Sequence, residues 1–281
     1  MFLRPSKNLK DYGSWAIVTG SAQGIGKVLA FELASKGLNL FLIDRNHSAL
    51  EATCNEILIE SGRKVEFRSM VIDLAKSSGE EIANAIEKGI EELDVGVLVN
   101  NAGTSYPYAR YFHEVDLELM ENIIKVNVGG ATWVTKAVLS GMLKKKKGAI
   151  LNIGSMTAHL PSWPLDTVYA ANAATKALEY KQMGIDIQCQ TPLFVATGLI
   201  QQVNGPSWLL ASPEQFCKAS VQCISHDQPL CNPYWWHSVQ WFIYRAALPD
   251  VLLNAINYRN NIEIRKRGQM KEAQIKKMHQ Q

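Results

Sequence analysis

Several things are scarce or missing in this chain of 281 residues. Its five cysteines (Cys54, Cys189, Cys217, Cys223 and Cys231) are odd in number and form no CxxC pair. That excludes a disulfide framework and a zinc site, and fits a reducing compartment. Charge of one sign is lacking too: 29 Lys and Arg against 26 Asp and Glu leave a net +3. Such a balance does not argue for nucleic acid, although it tolerates an anionic substrate. No apolar run reaches the roughly 18 residues that a spanning helix requires. The opening residues, with Arg4, Lys7, Lys10 and Pro5, do not form a signal peptide. The expectation is a soluble or peripheral chain. There is no internal repeat, and His113, His159, His226 and His237 are scattered, so no metal site is expected.

What is present is an α/β alternation. Apolar residues are 47% and charged residues 20% of the chain, enough for the core of one large domain. Strand-like runs begin at Trp15, Leu38, Val65, Val95, Ala149 and Ile185, with helical segments between them. This predicts a Rossmann-type, doubly wound parallel sheet with helices on both faces. The spacing predicts one long helix from Leu117 to Leu143. Beyond Gly198 the alternation fades into a helical C-terminal extension, in which Ser212-Pro213 reads as a helix cap and first turn. The aromatic stretch from Tyr234 to Tyr244 reads as packed core, or alternatively as a membrane-interface or acyl-chain surface. The tail from Arg265 reads as a solvated or fraying helix, and Lys144 to Lys147 as a solvated loop.

The most informative stretch is Thr19-Gly20-Ser21-Ala22-Gln23-Gly24-Ile25-Gly26, set between a strand and a helix. A strand turning through glycines into a helix aims backbone N–H groups and a positive dipole end at one place. Gly20 suits the tight turn, Gly24 the approach of a pyrophosphate, and Gly26 close packing of helix on strand. Ser21 and Ile25 complete this candidate dinucleotide cradle.

Ligands of such sheets lie beyond the carboxyl ends of the strands. There, 18 residues after Gly26, stand Asp44 and Arg45. A carboxylate favours the ribose hydroxyls of NAD and a guanidinium the 2′-phosphate of NADP, so the pair leaves both cofactors open. Asp73 follows the third strand, as an acceptor for the adenine amino group or as a turn cap. Asn100-Asn101-Ala102-Gly103 leaves room for the nicotinamide-side ribose, while its asparagines can tie strands together. Ser155 follows the fifth strand and Tyr169 comes 14 residues later. A hydroxyl that orients a carbonyl and a phenol that protonates the developing alkoxide suit ketone reduction. A phenol titrating near pH 10 needs a nearby cation for that work.

With these motifs, Asn127 in the long helix and Pro192-x4-Thr197 after the sixth strand, the chain resembles a short-chain dehydrogenase/reductase over roughly its first 200 residues. More narrowly, Asp11-Tyr12-Gly13-Ser14-Trp15, Asn101-Ala102-Gly103-Thr104-Ser105-Tyr106-Pro107 and Gly184-Ile185-Asp186-Ile187-Gln188-Cys189 resemble plant very-long-chain 3-oxoacyl-CoA reductases. The resemblance implies reduction of a 3-oxoacyl-CoA with NADP(H) at the endoplasmic reticulum, in the company of other elongation enzymes. It implies catalytic roles for Tyr169, Ser155, Asn127 and Lys176, and cofactor contacts that include Pro192 and Thr197. It also implies a homo-oligomer, a core of residues 14–200 and a substrate- or membrane-proximal extension of residues 201–281.

Three departures stand out. Such proteins carry a spanning segment ahead of Phe2-Leu3-Arg4-Pro5, where this chain has only Met1, so a truncated chain or an anchorless form is expected. Asp44 occupies a place where NADP-preferring relatives avoid a carboxylate. The signature Tyr-x3-Lys is broken: Ala173 stands four residues after Tyr169, and Lys176 seven. Lys176 is therefore about 4.5 Å too far along the helix axis, and the helix is short by about two turns. In a second register Asn172 takes the tyrosine's place and no proton donor remains. A catalytically impaired nucleotide-binding relative, and a steroid or other carbonyl dehydrogenase, are the competing functions.

Overall fold

The computed structural model describes residues 7–62, 64–156, 180–197, 210–224, 228–247 and 249–278. Seven parallel strands form one sheet in the order β3-β2-β1-β4-β5-β6-β7. They are β1 (Trp15–Thr19), β2 (Asn39–Asp44), β3 (Phe67–Val71), β4 (Val95–Asn100), β5 (Gly148–Ile153), β6 (Ile185–Gln190) and β7 (Leu230–Cys231). The expected doubly wound α/β fold is what forms. The two-residue β7, which pairs Cys189 with Leu230 and Gln190 with Cys231, is an addition to the six expected strands.

Alternation along the central strands divides the core between two faces, because successive side chains point to opposite sides of a sheet. Ala16, Val18, Leu40, Leu42, Val97 and Val99 pack on one face. That face is covered by α1 (Gly24–Ser35), α2 (His47–Glu60) and α6 (Pro213–Cys223). Trp15, Ile17, Phe41, Ile43, Leu98 and Ile150 fill the other, under α3 (Gly79–Ile90) and α5 (Ala131–Lys145). All of these strand residues are buried, and each large apolar side chain contributes about 1.5–3 kcal/mol. The five cysteines are buried free thiols.

The expected long helix is α4 (Leu117–Ile124) and α5 joined by a π-helical turn, Lys125–Gly130. Asp116 starts it by accepting from Leu119 N–H at 2.8 Å. Lys145 departs from the expected solvated loop: it closes α5 and reaches Asp94 at 2.5 Å.

Two C-terminal expectations gain detail. In α7 (Trp235–Ala247), Trp235, Phe242 and Ile243 are exposed, so the aromatic stretch is only partly core. The tail is the expected solvated helix, the end of α8 (Asp250–Met278), most of it exposed and part of it docked on the loop after β4. Arg265 pairs with Glu114 through both guanidinium nitrogens, Tyr108 donates to Glu272 at 2.6 Å, and the Tyr111 and Tyr258 hydroxyls lie 3.1 Å apart. The Arg265 bond holds the Glu114 carboxyl below its usual range, and the Tyr108 bond does the same for Glu272. Gly268 makes the approach feasible, because a side chain there would run into the Tyr108 ring.

Candidate active site

The strand order reverses between β1 and β4, where a crevice opens at the carboxyl ends of the strands. The glycine loop borders it. Gly20 and Gly24 have φ of +65° and +56°, a region that other residues enter with strain. A Cβ on Gly20 would lie 2.8 Å from Ala102 Cα, so this part of the cradle stays open only for glycine. A Cβ on Gly26 would overlap Gly20 O and Asn101 Nδ2, which makes Gly26 the point of close packing. Thr197 lies against the loop from the far side, 3.5 Å from where a Gly24 Cβ would be.

Asn101 stitches β4 to β1. Its Nδ2 donates to Thr19 O at 3.0 Å and Gly20 O at 3.1 Å, and the N–H groups of Asn101 and Ala102 both donate to Thr19 Oγ1 at 3.0 Å. Thr19 thus organises the crevice although it was not among the expected site residues. Its position as the last residue of a strand entering the glycine turn was the available signal. Asn100 performs the same service between β4 and β5, donating to Asn152 Oδ1 at 2.8 Å and Thr135 Oγ1 at 2.9 Å.

On the other flank Asp44 reaches back to the loop. Its Oδ2 accepts from Ala22 N–H and its Oδ1 from Asn46 N–H, each at 3.0 Å. Ser21 is buried, with its N–H and hydroxyl both directed to Ile43 O at 3.3 Å. Arg45 is exposed beside Asp44. Asp73 accepts from Ala75 N–H at 3.0 Å, the turn-capping geometry. Ile25 packs against the α1 core, and its carbonyl faces the Cys217 thiol at 3.5 Å.

The π-helical turn aims Asn127 at the segment after Gly103. Asn127 Oδ1 accepts from Thr104 N–H at 2.8 Å and Nδ2 donates to Thr104 O at 2.9 Å. Turns of this type recur at functional sites. Ser155 is buried just beyond β5, between two bonds that tie it to the segment after β6. Gly154 N–H donates to Gln190 O at 2.8 Å and Met156 N–H to Pro192 O at 3.0 Å. Gly20, Gly24, Asn101, Ala102, Gly103, Asn127 and Thr197 are therefore brought around one crevice, with Ser155 and Pro192 held together at the ends of β5 and β6. Tyr169, Lys176 and the alternative Asn172 lie outside the described residues. Among the described residues no cluster of His, Cys, Asp or Glu could hold a metal ion.

Residues 14–207 match the family model described as short chain dehydrogenase. A very-long-chain 3-oxoacyl-CoA reductase-like protein of Arabidopsis thaliana is 42% identical over 278 residues, covering 95% of this chain and 86% of that protein. A human protein named inactive hydroxysteroid dehydrogenase-like protein 1 is 38% identical over 253 residues, covering 87% and 75%. A solved short-chain dehydrogenase from Sphingobium yanoikuyae in complex with NADPH has a TM-score of 0.69 and 25% identity, covering 83% of this chain and 92% of that one.

Proposed function

The chain belongs to the short-chain dehydrogenase family, and from that premise we propose that it reduces very-long-chain 3-oxoacyl-CoA to 3-hydroxyacyl-CoA with NADPH. The observation that carries the substrate is the identity with the Arabidopsis thaliana reductase-like protein across almost the whole chain. The crevice supports a nicotinamide dinucleotide: its glycine loop is a cradle that a Cβ would fill. The choice of NADPH over NADH rests on Arg45 and on the relatives, since Asp44 by itself favours NADH. The NADPH-bound Sphingobium yanoikuyae relative supports the same class of cofactor.

Bound there, the dinucleotide supplies a hydride to the keto carbon. In this reading the backbone N–H groups of Gly24, Ile25 and Gly26 receive the pyrophosphate, as a helix N-terminus favours an anion, while Ser21 shapes the turn through its bonds to Ile43 O. Asp44 and Arg45 meet the adenosine ribose, Asp73 the adenine, and Asn101 to Gly103 the nicotinamide-side ribose, with Pro192 and Thr197 closing the other wall. Ser155 orients the keto oxygen, Tyr169 protonates it, and Lys176 and Asn127 support that proton transfer. Residues 14–200 form the nucleotide-binding core, and residues 201–281 the substrate- and membrane-proximal part. The endoplasmic reticulum is the site of action, alongside other elongation enzymes.

Purified protein given a saturated long-chain 3-oxoacyl-CoA is expected to oxidise NADPH, and Tyr169→Phe to abolish the oxidation. No oxidation above background with either NADPH or NADH overturns the assignment, and turnover of a hydroxysteroid alone replaces the substrate. A second reading is a nucleotide-binding relative without turnover. It is favoured by the broken Tyr-x3-Lys spacing and by the similarity to a human protein named inactive. Its signature is tight NADPH binding without turnover, with turnover restored when the two missing helix turns are inserted.

A further inference from the structure

α7 and the start of α8 expose more large apolar side chains than packing within the chain explains. Trp235 is 53% exposed, Phe242 70%, Ile243 50%, Val251 82% and Leu252 49%. On α7, Trp235, Ser238, Val239 and Phe242 line one open depression of about 480 Å³. The spacing of these four residues, at i, i+3, i+4 and i+7, places them on one helix face. The opposite side of α7 is fixed to the body: His237 is fully buried and accepts from Leu193 N–H at 3.4 Å.

α8 continues the pattern with a change of chemistry. Its buried side, which includes Leu253, Asn257, Asn261 and Gly268, is turned to the protein, and Arg265 and Glu272 hold it on the loop after β4. Its outward residues Leu252, Ile256, Arg259, Glu263, Lys266, Met270 and Lys277 are all exposed and recur at spacings of three, four and seven; the single carboxylate, Glu263, is paired with Arg267 at 3.9 Å. The outward face therefore begins apolar and becomes cationic. The helix as a whole has seven Lys and Arg against three Asp and Glu. Among the described residues no helix is long and apolar enough to cross a membrane, so this face suits lying on a bilayer and not passing through one.

We propose that the outward faces of α7 and α8 form a docking surface for an anionic phospholipid bilayer. Trp235, Phe242, Ile243 and Leu252 enter the boundary between headgroups and acyl chains, and Arg259, Lys266 and Lys277 meet the headgroup phosphates. Charge complementarity selects this occupant: a second copy of the chain would bring the same cations together, whereas a lipid surface of opposite sign neutralises them. The proposal rests on the membrane-proximal placement of residues 201–281 but not on the reductase chemistry, since no residue of the crevice takes part, so vesicle binding and NADPH oxidation can fail separately.

The test uses the full chain and vesicles of phosphatidylcholine, with or without phosphatidylserine. The protein is expected to sediment with the phosphatidylserine vesicles and to do so less as salt rises. Phe242→Ser lowers the partition coefficient by about tenfold, and Lys266→Gln and Lys277→Gln by about fivefold each. These side chains are exposed, so the variants keep the wild-type thermal midpoint. Absence of sedimentation with either vesicle, equal sedimentation with both, or a Phe242→Ser variant that binds like wild type overturns the proposal. So does a doubled mass in solution that Phe242→Ser abolishes, which would make this a self-association face.

Discussion

Asp44 accepts from the N–H of Ala22 at 3.0 Å, so the carboxylate at the end of β2 holds the glycine loop that follows β1. The same group stands where the adenosine ribose is proposed to lie. It therefore both builds the loop and places a negative charge beside any 2′-phosphate. Asp44→Asn keeps an oxygen for Ala22, gives up the bond from Asn46 N–H, and removes the charge. It is expected to lower KM for NADPH by about tenfold relative to NADH, the scale of one like-charge contact near a protein surface. Initial rates with both cofactors check this, and an unchanged ratio would leave Asp44 with the loop alone.

Gly26 meets Gly20 O and Asn101 Nδ2 so closely that a methyl group has no room. Gly26→Ala is expected to destabilise the protein by about 1–3 kcal/mol by overpacking and to weaken NADPH binding by displacing the loop. Gly141→Ala is the control, because nothing lies within 4 Å of its added Cβ. In a helix interior that change is expected to stabilise by about 0.5–1 kcal/mol. Urea unfolding and NADPH fluorescence titration read both effects.

Asn127 and Thr104 exchange two hydrogen bonds across the crevice wall. Asn127→Leu leaves the Thr104 N–H and C=O without them and frees the segment after Gly103. Displacement of a site by about 1 Å costs on the order of 10²-fold in rate, so kcat is expected to fall by that factor. Steady-state kinetics are the check, with circular dichroism to show that the helix persists. A wild-type kcat would remove Asn127 from the site.

His237 is buried against Phe216 and Tyr234, and that burial pushes its pKa down from 6.5 to about 4. The folded form keeps the ring neutral where the unfolded chain already binds a proton. Stability is therefore full above pH 6.5 and declines as pH falls from there towards 4. Glu114 and Glu272 have lowered pKa values, so their losses come at lower pH, and the upper half of the window reports His237. Thermal midpoints of His237→Gln are expected to be lower at neutral pH but flatter across that upper half. A wild-type slope in the variant would assign the pH dependence elsewhere.

The strands around the crevice were legible because buried parallel strands read as continuous apolar runs, and the strand–glycine–helix order is a local signal. The two-residue β7 is too short for any period to reveal. The long helix was legible as amphipathic, but its π-helical turn was not, because one extra residue per turn leaves the composition unchanged. The aromatic stretch around Trp235 and Trp236 names hydrophobic residues without saying which side of α7 faces the body. The tail around Arg265 read as a solvated helix, which most of it is, but its bonds to Glu114 and Tyr108 on a distant loop left no mark in the chain.

Local order marks the cradle: positive φ at Gly20 and Gly24 and the start of α1 follow from the glycines and the helix that the sequence itself announces. The ties that shape the crevice are of another kind. Asp44 meets Ala22 across 22 residues, Asn101 meets Gly20 across 81, and Arg265 meets Glu114 across 151. Such pairs form only when separate strands and helices pack, since hydrogen bonds act over about 3 Å and carry no trace in the spacing of the chain.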